Sequence, residues 1–525
     1  MRDHVIAVDV GTASVRAGVF DKTGIMLART VEPLRLRRPG ARRGEYSADD
    51  IWRTTATAVR AARLAAGLGA EQVAGLAFGA TCSLVLRDAA GNPLPISEDD
   101  DGVFDTLAWF DHRAEAEAEE LSATDDPAVR HSGGSISPEM QVPKLLWLKR
   151  NRPDLWQRAG GFFDLADYLS YRATGNPARS VSTLVTKWFY RADSDAPWPR
   201  ALLGTFGLDD LPEKAGTAHA PCPPGAAVGR LTGKAAQALG LDEKVAVAAG
   251  MVDAYAGALG ALPASETPGE LALIGGTSSC LIGQGREPVF AGSLWGPYFA
   301  AIHPGRWAFE AGQSATGGLL NHLLEVHAEG GQATEARHQE VIARITEMLA
   351  ENGPGFADGL DILPDFHGNR SPFADPTMTG MVAGLTLDKS FDGLCKLYWR
   401  ASIAIALSLR QILEHLGENG IPASGLHLAG GHRRNPLLSR LYADVTGLPV
   451  HISPTEDVVL LGSAINAAAA SGLYPDLGQT AAQMQAAASI LEPDPGFGDY
   501  YQHQYARLKI LQACRDQLAR YNVFP

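Results

Sequence analysis

Short apolar runs separated by turn residues dominate the first part of the chain. Three of them, at residues 5–8, 15–20 and 25–28, predict consecutive strands joined by tight turns. Apolar side chains near helical spacing predict a helix over residues 49–66, and the continuous run 73–78 predicts a buried strand. This order of elements indicates the opening of a mixed α/β layer domain.

A similar order recurs beyond a segment rich in proline and glycine at residues 221–233. An apolar run at 271–274 leads through Gly275-Gly276-Thr277 into a second run at 280–282, which again predicts two strands around a turn of small residues. The repeat suggests a duplicated core with one such hairpin in each half. Chance similarity between two glycine–threonine turns is the alternative.

The last part of the chain carries a predicted strand and three predicted helices. The strand, 425–429, ends at Gly430-Gly431, and Asn435 is the expected N-cap of a helix that runs to Gly447. Small residues at 460–470 predict a helix that can approach a neighbour closely. Residues 501–521 predict a terminal docking helix whose apolar stripe comprises Tyr501, Tyr505, Leu508, Leu511, Cys514, Leu518 and Tyr521.

Length and charge narrow the class of protein. A chain of 525 residues with 46% hydrophobic and 20% charged residues is an ordinary folded protein, too long for one core, so at least two large domains are expected. Its formal net charge of −14 argues against nucleic acid and anionic membranes as partners. To bind a polyphosphate, such an acidic protein must rely on backbone amides, a few placed cations and a divalent metal.

Cysteine usage favours a reducing, cytoplasmic setting. The five cysteines are scattered without paired spacing, so neither a disulfide framework nor a zinc site is predicted from them. The residues before the first strand are too few and too charged for a signal peptide. The most apolar later stretch, residues 245–262, is interrupted by Asp253, so no membrane span is predicted.

The turn after the first predicted strand carries residues suited to phosphate and metal chemistry. Asp9 stands at the end of that strand, and Gly11 lets the backbone approach a phosphate. Thr12 and Ser14 offer hydroxyl donors, and Arg16 adds a fixed cation. The hairpin is therefore a candidate nucleotide-binding element, with an ordinary turn held by Asp9 and Thr12 as the alternative.

Asp253 is a lone carboxylate between an apolar strand and a helix of small residues. In a cleft between the two halves it could accept a proton from a hydroxyl that attacks phosphorus, whereas as an N-cap it would merely stabilise the helix. Two common nucleotide sites are excluded. Residues 229–235 are one residue short of a Walker loop and lack its final Ser or Thr, and neither half offers G-x-G-x-x-G between a strand and a helix.

Taken together, these segments resemble the FGGY family of carbohydrate kinases over nearly the whole chain. The resemblance rests on ordered motifs at 9–16, 109–113 (Trp-Phe-Asp-His-Arg), 250–257, 275–279, 310–315, 430–431 and 457–464. It implies an α/β fold of two actin-like, hexokinase-like (ribonuclease H-like) domains with a nucleotide and sugar cleft between them. Residues 1–249 would form the sugar-side domain, and residues 250–525 the nucleotide-side domain with its terminal docking helix.

The resemblance also implies roles for residues already singled out. Asp9 would organise Mg²⁺, and Asp253 would be the general base. The remaining cofactor contacts would come from Thr12, Ser14, Arg16, Gly276 and Thr277 for the phosphates and from Gly430, Gly431 and Asn435 for adenosine. ATP and Mg²⁺ are thus the implied cofactors.

On the sugar side the resemblance points to the D-ribulokinase branch. Thr81-Cys82-Ser83 stands where glycerol kinases show an Arg-Glu pair and xylulokinases a Met-His pair, which disfavours glycerol and D-xylulose. The implied sugar contacts are Thr81, Trp109, Asp111, His112, Glu139, Lys144 and Glu310. For four of them an ordinary alternative stands: Trp109 as a core residue, Asp111 as a helix cap, Lys144 as a solvated helix charge and Glu310 in a strand-end turn.

The expected activity is ATP-dependent phosphorylation of a ketopentose, with D-ribulose as the substrate and D-ribulose 5-phosphate as the product. The alternative acceptors are L-ribulose, D-xylulose, ribitol or another polyol; a non-catalytic, sugar-responsive protein of the actin fold is more remote. Residues 367–372 resemble a family loop, but the sequence gives that loop no chemical role. The oligomeric state is left open, with a homodimer as one alternative.

Overall fold

The computed structural model of the protein describes residues 2–99, 102–217, 220–264 and 268–521. Over these residues its strands are β1 (His4–Val10), β2 (Ser14–Asp21), β3 (Met26–Pro33), β4 (Glu45–Tyr46), β5 (Val73–Ala80), β6 (Leu84–Asp88), β7 (Ser97–Asp99), β8 (Gly102–Phe104), β9 (Thr106–Leu107), β10 (Ala159–Asp164), β11 (Ala227–Arg230), β12 (Ala246–Ala248), β13 (Met251–Val252), β14 (Glu270–Gly275), β15 (Ser279–Gly285), β16 (Trp295–Phe299), β17 (Trp307–Gln313), β18 (Asp361–Leu363), β19 (Met381–Ala383), β20 (Gly425–Gly430), β21 (Val450–Ile452) and β22 (Ser489–Leu491).

The α-helices of the described ranges connect and cover these strands. They are α1 (Ala48–Ala65), α2 (Glu115–Ser122), α3 (Pro127–Arg130), α4 (Gln141–Asn151), α5 (Pro153–Arg158), α6 (Leu165–Thr174), α7 (Val181–Lys187), α8 (Arg200–Thr205), α9 (Leu211–Lys214), α10 (Gly233–Leu239), α11 (Asp253–Ala261), α12 (Gly317–Val326), α13 (Glu335–Asn352), α14 (Phe391–Glu418), α15 (Pro436–Thr446), α16 (Val458–Ala470), α17 (Leu477–Met484) and α18 (Gly498–Tyr521). Of these described helices, none combines the length and the apolar character that crossing a membrane requires.

The first large sheet contains the strands predicted at the start of the chain. Its order is β11-β12-β5-β1-β2-β3, and β13 also pairs with β5. β1 is antiparallel to β2 but parallel to β5, and β13 is parallel to β5 as well. Because the carboxyl ends of parallel strands meet at one edge of a sheet, Asp9, Thr81 and Asp253 share this edge.

The second large sheet repeats that pairing. Its order is β16-β17-β15-β14-β20-β21-β22, with β14 antiparallel to β15 and parallel to β20. The series β17-β15-β14-β20-β21 thus matches β3-β2-β1-β5-β12 in order and in strand direction. This match confirms the duplicated core and brings Gly276 and Gly430 to one edge.

Two helices of small residues pack between the large sheets. α11 and α16 pack against each other, α16 also contacts β1 and β5, and α11 also contacts β14. The approach needs glycine, since a Cβ on Gly462 would lie 1.7 Å from the Ala256 carbonyl oxygen. The close-packed helix predicted at 460–470 is confirmed and begins two residues earlier, at Val458.

A smaller sheet extends the first half on the side of the cleft. Its order is β10-β6-β9-β4, and its apolar core includes residues of β6, β10 and α4. Trp109 lies two residues after β9, Glu139 lies just before α4, and Lys144 lies within α4. This unit therefore carries at least three of the predicted sugar contacts.

The predicted apolar stripe of the terminal helix is correct in its first part and wrong in its last. Tyr501, Tyr505, Leu508 and Leu511 are buried, whereas Leu518 and Tyr521 are 54% and 82% exposed and Cys514 is exposed too. The buried face continues instead at Arg515, which forms an ion pair with Asp365. A helix of 3.6 residues per turn reaches the same face at the fourth residue after Leu511, which is Arg515.

Candidate active site

A cleft of about 400 Å³ lies between the two large sheets. One wall contains the β1–β2 turn and the end of β5, and the other contains the β14–β15 turn and the end of β20. The predicted site residues that line it are Thr12, Arg16, Thr81, Trp109, Glu139, Asp253, Gly276, Thr277, Glu310, Gly430 and Gly431. Residues far apart in the sequence are thus brought together as expected.

A charged cluster underlies the first turn. Asp9 is fully buried and pairs in strand register with Arg16, whose guanidinium contacts the carboxylates of both Asp9 and Asp457. Arg16 Nη1 lies 2.7 Å from Asp457 Oδ2, and Arg29 Nε donates to the same oxygen at 3.2 Å. Asp457 is also the N-cap of α16, since its Oδ1 accepts from the Leu460 amide. The cluster therefore ties the first sheet to a helix from the second half.

The environment of Asp9 suits a divalent cation. Its Oδ1 is buried without a hydrogen-bond partner among the described residues. The pKa of Asp9 is raised to about 7, chiefly by burial and further by the carboxylates of Asp253 and Asp457, against the opposing charge of Arg16. A buried carboxylate oxygen without a donor, close to two other carboxylates, is chemistry that favours a hard cation with oxygen ligands. The residues present fit Mg²⁺.

Asp253 is half-buried where the two walls meet. It is the first residue of α11, and Val252 is the N-cap, so Asp253 does not act as the helix cap. Its Oδ1 accepts from the Ala254 amide at 2.7 Å. Burial raises the pKa of Asp253, while that hydrogen bond and the charges of Lys187 and Arg16 oppose the rise. A carboxylate with a raised pKa that faces a cleft is suited to accept a proton near neutral pH.

Two cations and two carboxylates line the same cleft beside Asp253. Lys187 is the last residue of α7. Burial lowers the pKa of Lys187, but electrostatic interactions with neighbouring groups outweigh burial and raise it. These groups are Cys82, Glu310, Tyr298 and Glu139. Arg370 Nη1 lies 3.8 Å from Cys280 Sγ, and the guanidinium lies 4.8 Å from the centre of the Trp295 ring. The positive charges of Lys187 and Arg370 balance the negative charges of Glu139 and Glu310. This balance suits a neutral ligand with many hydroxyl groups.

The pKa of Glu139 shows how strongly the charged side chains of the cleft influence one another. Burial alone would raise the pKa of Glu139, but the neighbouring His112 imidazole and the charges of Arg370 and Lys187 lower it to about 2. The carboxylate therefore stays ionised over the whole physiological range. An ionised carboxylate accepts hydrogen bonds only, so Glu139 offers acceptor oxygens, and no donor, to a ligand in the cleft.

Three predicted sugar contacts lie behind the cleft wall, outside the described residues that line it. Lys144 is fully buried, so the alternative of a solvated charge is wrong. Its Nζ donates to the main-chain carbonyls of Ala108, Trp109 and Glu139 at 3.0, 2.8 and 3.3 Å. Lys144 thus braces the two segments that carry Trp109 and Glu139, and the direct sugar contact expected of it stays a prediction.

Asp111 and His112 are engaged in the same wall. Asp111 accepts from the Gly44 amide at 2.8 Å and from Arg113 Nε at 2.8 Å, so its carboxylate is fully occupied away from the cleft. His112 Nε2 lies 3.6 Å from Glu139 Oε1. Neither residue is among the described residues that line the cleft, and both make contacts within the wall, so their direct contact with a sugar stays a prediction.

Two predicted nucleotide contacts are likewise absent from the described lining residues. Ser14 closes the first turn, where its main-chain carbonyl accepts from the Gly11 amide at 3.0 Å. Asn435 is buried and caps α15, with Oδ1 accepting from the Leu438 amide at 3.1 Å and Nδ2 3.5 Å from the Tyr398 hydroxyl. The predicted cap is confirmed, and the adenosine contact of Asn435 stays a prediction.

Main-chain hydrogen bonds hold the second turn. The Gly276 carbonyl accepts from the Gly317 amide and from His432 Nε2, each at 3.0 Å, and the Thr277 carbonyl accepts from the Thr316 amide at 2.9 Å. Gly276 and Thr277 are themselves exposed to the cleft. The turn is therefore a rigid, open surface suited to a close approach by phosphate.

Comparison of the sequence with models of known protein families identifies the family of this chain. The N-terminal and C-terminal domains of the FGGY family of carbohydrate kinases match residues 4–260 and 271–471. The chain belongs to this family. A human FGGY carbohydrate kinase domain-containing protein is 39% identical over 99% of this chain and 98% of its own length. A D-ribulokinase from Saccharomyces cerevisiae is 35% identical over 89% of this chain and 72% of its own length.

The solved structures agree on the fold. The crystal structure of Plasmodium falciparum glycerol kinase with ADP has a TM-score of 0.77, 14% sequence identity, and coverage of 99% of this chain and 98% of its own. The two-domain, actin-like and hexokinase-like α/β fold expected from the sequence is therefore confirmed, and this FGGY protein is a carbohydrate kinase.

Sequence reasoning missed several side chains of the FGGY kinase cleft. Arg370 lies in the 367–372 loop, which had no predicted role, and Asp457 was noted only as part of a motif. Lys187 ends a short helix with no glycine turn beside it, and the packing of α7 against β13 and β16 sets its position. For Arg370 and Asp457 a charged residue inside a family-like motif was an available signal. For Lys187 the sequence offered none.

Proposed function

We propose that this FGGY kinase transfers the γ-phosphoryl group of ATP to the terminal hydroxyl of D-ribulose, giving D-ribulose 5-phosphate. The observation that carries the proposal is the position of Asp253 in the cleft, with both glycine–threonine turns and four charged side chains lining the same space. The similarity to a yeast D-ribulokinase and the Thr81-Cys82-Ser83 segment support the choice of sugar.

Asp253 would act as the general base. Phosphoryl transfer depends mainly on positioning and on stabilising charge, and one carboxylate that takes the proton of the attacking hydroxyl completes the chemistry. The raised pKa of Asp253 makes it a stronger proton acceptor than an exposed aspartate. Thr12, Arg16, Gly276 and Thr277 would contact the phosphates, with Gly430 and Gly431 beside adenosine. Mg²⁺ held by Asp9 would neutralise charge on the polyphosphate.

The sugar would bind among the charged side chains of the cleft. Glu139 and Glu310 accept hydrogen bonds, whereas Lys187 and Arg370 donate them, so together they can pair with several hydroxyls and the ketone oxygen. A pocket that pairs with hydroxyl groups rejects analogues that leave its buried polar groups unpaired. The sugar side would thus combine residues 1–249 with Glu310 and Arg370 from residues 250–525, and closure would bring the two halves together.

A substrate panel tests the sugar. The purified protein is assayed with D-ribulose, L-ribulose, D-xylulose and ribitol in a coupled assay of ADP release. We expect D-ribulose to give the highest kcat/KM. A higher kcat/KM for another member of the panel would overturn the choice of sugar, and ADP release with none of them would exclude pentuloses as the substrate class.

Asp253→Asn tests the base. We expect kcat to fall by about 10²–10⁴-fold, because a general base contributes on that order, while ATP affinity changes little. The matched control is Asp209→Asn, which alters an exposed carboxylate outside the described cleft lining and should keep wild-type turnover. Turnover of Asp253→Asn close to that of the control would refute the assignment.

A further inference from the structure

Three side chains with metal-binding atoms lie together on neighbouring strands of the second sheet. Glu270 begins β14, His427 lies within β20 and His451 lies within β21. His427 and His451 are register partners, and Glu270 pairs with Gly425, two residues before His427. Because residues two apart in a strand point to one face, all three side chains share a face of the sheet.

The three donor groups converge closely. One ligand atom from each residue lies within 4.8 Å of the other two. His427 Nε2 lies 2.7 Å from Glu270 Oε2, and the rings of His427 and His451 are stacked with their centres 4.5 Å apart at 11°. The side chains of His427 and Glu270 are only 12% and 14% exposed, so the group is not a set of loose surface residues.

The donor set indicates the class of ion. Two imidazole nitrogens and one carboxylate suit Zn²⁺, Co²⁺, Ni²⁺ or Fe²⁺, whereas Mg²⁺ and Ca²⁺ prefer oxygen ligands throughout. Three protein ligands leave at least one coordination position for water, unlike the four-ligand sites of purely structural zinc. A cavity of about 500 Å³ that is lined by these residues together with Gly260, Ala261 and Ala482 gives a hydrated ion access and room.

We propose that Glu270, His427 and His451 bind a divalent transition metal of the Zn²⁺ type. The ion replaces the hydrogen bond between His427 and Glu270 and cross-links three adjacent strands. The site lies at the opposite end of β14 from Gly275, roughly 16 Å away along the strand at about 3.3 Å per residue. It is therefore separate from the cleft and does not depend on the identity of the sugar or on the role of Asp253.

Zinc titration of the full chain tests the site. Calorimetry with ZnCl₂ in excess Mg²⁺, which occupies oxygen-ligand sites, should show one equivalent bound in the micromolar range or tighter, and the unfolding temperature should rise with zinc. His451→Phe keeps an aromatic ring stacked on His427 but removes the ligand nitrogens, so zinc affinity should fall at least about tenfold. His427→Gln keeps a donor for Glu270 and should show the same loss.

A matched control is His503→Phe, the same substitution at an exposed histidine of α18, and it should bind zinc like the wild type. The proposal is overturned if the wild type binds no zinc at about 100 μM, or if wild-type affinity persists in His451→Phe and His427→Gln, which would place the ion elsewhere. Circular dichroism shows whether each variant is folded; if His451→Phe is not, the His427→Gln titration decides.

Discussion

The two turns that face the cleft share a strand pairing but differ in chemistry. In the first, Asp9-Val10 leads into a four-residue turn closed by Val15, and in the second, Ile274-Gly275 leads into a three-residue turn closed by Ser279. The position of the buried acid in one half is thus taken by an aliphatic residue in the other. The first turn rests on ion pairs, and the second rests on main-chain hydrogen bonds and a packed histidine.

This difference shows how a duplicated backbone can serve two tasks. Each turn offers a close approach for phosphate, which needs small residues and no particular charge. Buried charge is expensive, and a second carboxylate opposite Asp9 would raise the pKa of both acids further. A buried carboxylate at the first turn therefore suits a cation there, while the second turn, residues 275–279, carries no charged side chain of its own.

Asp9→Asn removes the charge that distinguishes the first turn, and among the changes that probe the two turns it should have the largest effect. We expect kcat to fall by about 10²-fold or more, because the substitution withdraws the anionic oxygen best placed to hold Mg²⁺. Thermal stability should not fall, since a buried neutral amide replaces a buried carboxylate and Arg16 keeps its bond to Asp457. Steady-state kinetics across a Mg²⁺ titration measure the loss; a kcat within about threefold of wild type contradicts the metal role.

The dependence of the rate on pH should report the ionisation of the carboxyl groups of Asp9 and Asp253. The pKa of Asp253 is raised and that of Asp9 is raised to about 7, so both carboxyls take up protons as the pH falls. Since base and metal ligand both need the ionised form, kcat/KM should drop on the acid side, approaching about tenfold per pH unit below one of the two pKa values and about a hundredfold per pH unit below both. Excess Mg²⁺ should move this acid limb to lower pH, because metal binding favours the ionised carboxylate. Profiles between about pH 5 and 9 at two Mg²⁺ concentrations measure the shift; an acid limb that Mg²⁺ leaves unmoved contradicts Asp9 as the ligand.

Features set by neighbours in sequence were predictable from the sequence. The two hairpins follow from short apolar runs around small residues, and their strands extend only a few residues beyond the prediction. Asn435 was expected to cap the helix that Pro436 begins, and it does. In each case the signal and the contact lie within a few residues of each other, where side-chain type constrains the backbone directly.

Features set by packing over long sequence separations were not predictable. Lys144 had a helical context that fitted a surface charge, yet three carbonyl groups from distant and local segments hold its ammonium group in the interior. Lys187 and Arg370 reach the cleft because α7 and the 367–372 loop pack there. The periodicity of the surrounding residues does not predict the position of either side chain, because each position depends on how separate elements pack together.

Gly275→Ala tests how closely the second turn is packed. A Cβ at this position would lie 2.2 Å from His432 Nδ1, so we expect a loss of about 1–3 kcal/mol in the free energy of unfolding. Gly276→Ala is the matched control, because its Cβ meets only the Ser278 carbonyl oxygen at 3.6 Å. That variant should keep its stability and instead raise the KM for ATP, as the methyl group faces the phosphates. Urea denaturation and ATP kinetics separate the two effects; equal stabilities would contradict the packing argument.

Trp109→Phe should give the smallest effect, since it removes only one hydrogen bond between the sugar-side wall and the first turn. Trp109 Nε1 donates to Thr12 Oγ1 at 2.9 Å, and such a bond contributes about 0.5–1.5 kcal/mol, so KM for sugar or ATP should rise about three- to tenfold. Trp198→Phe removes an equivalent bond, Nε1 to Thr217 Oγ1 at 3.0 Å, outside the described cleft lining. If both variants lose similar stability but only Trp109→Phe changes KM, the bond serves to hold the turn in place for substrate. Unchanged KM in both would mean that the first turn is held in place for substrate without this bond.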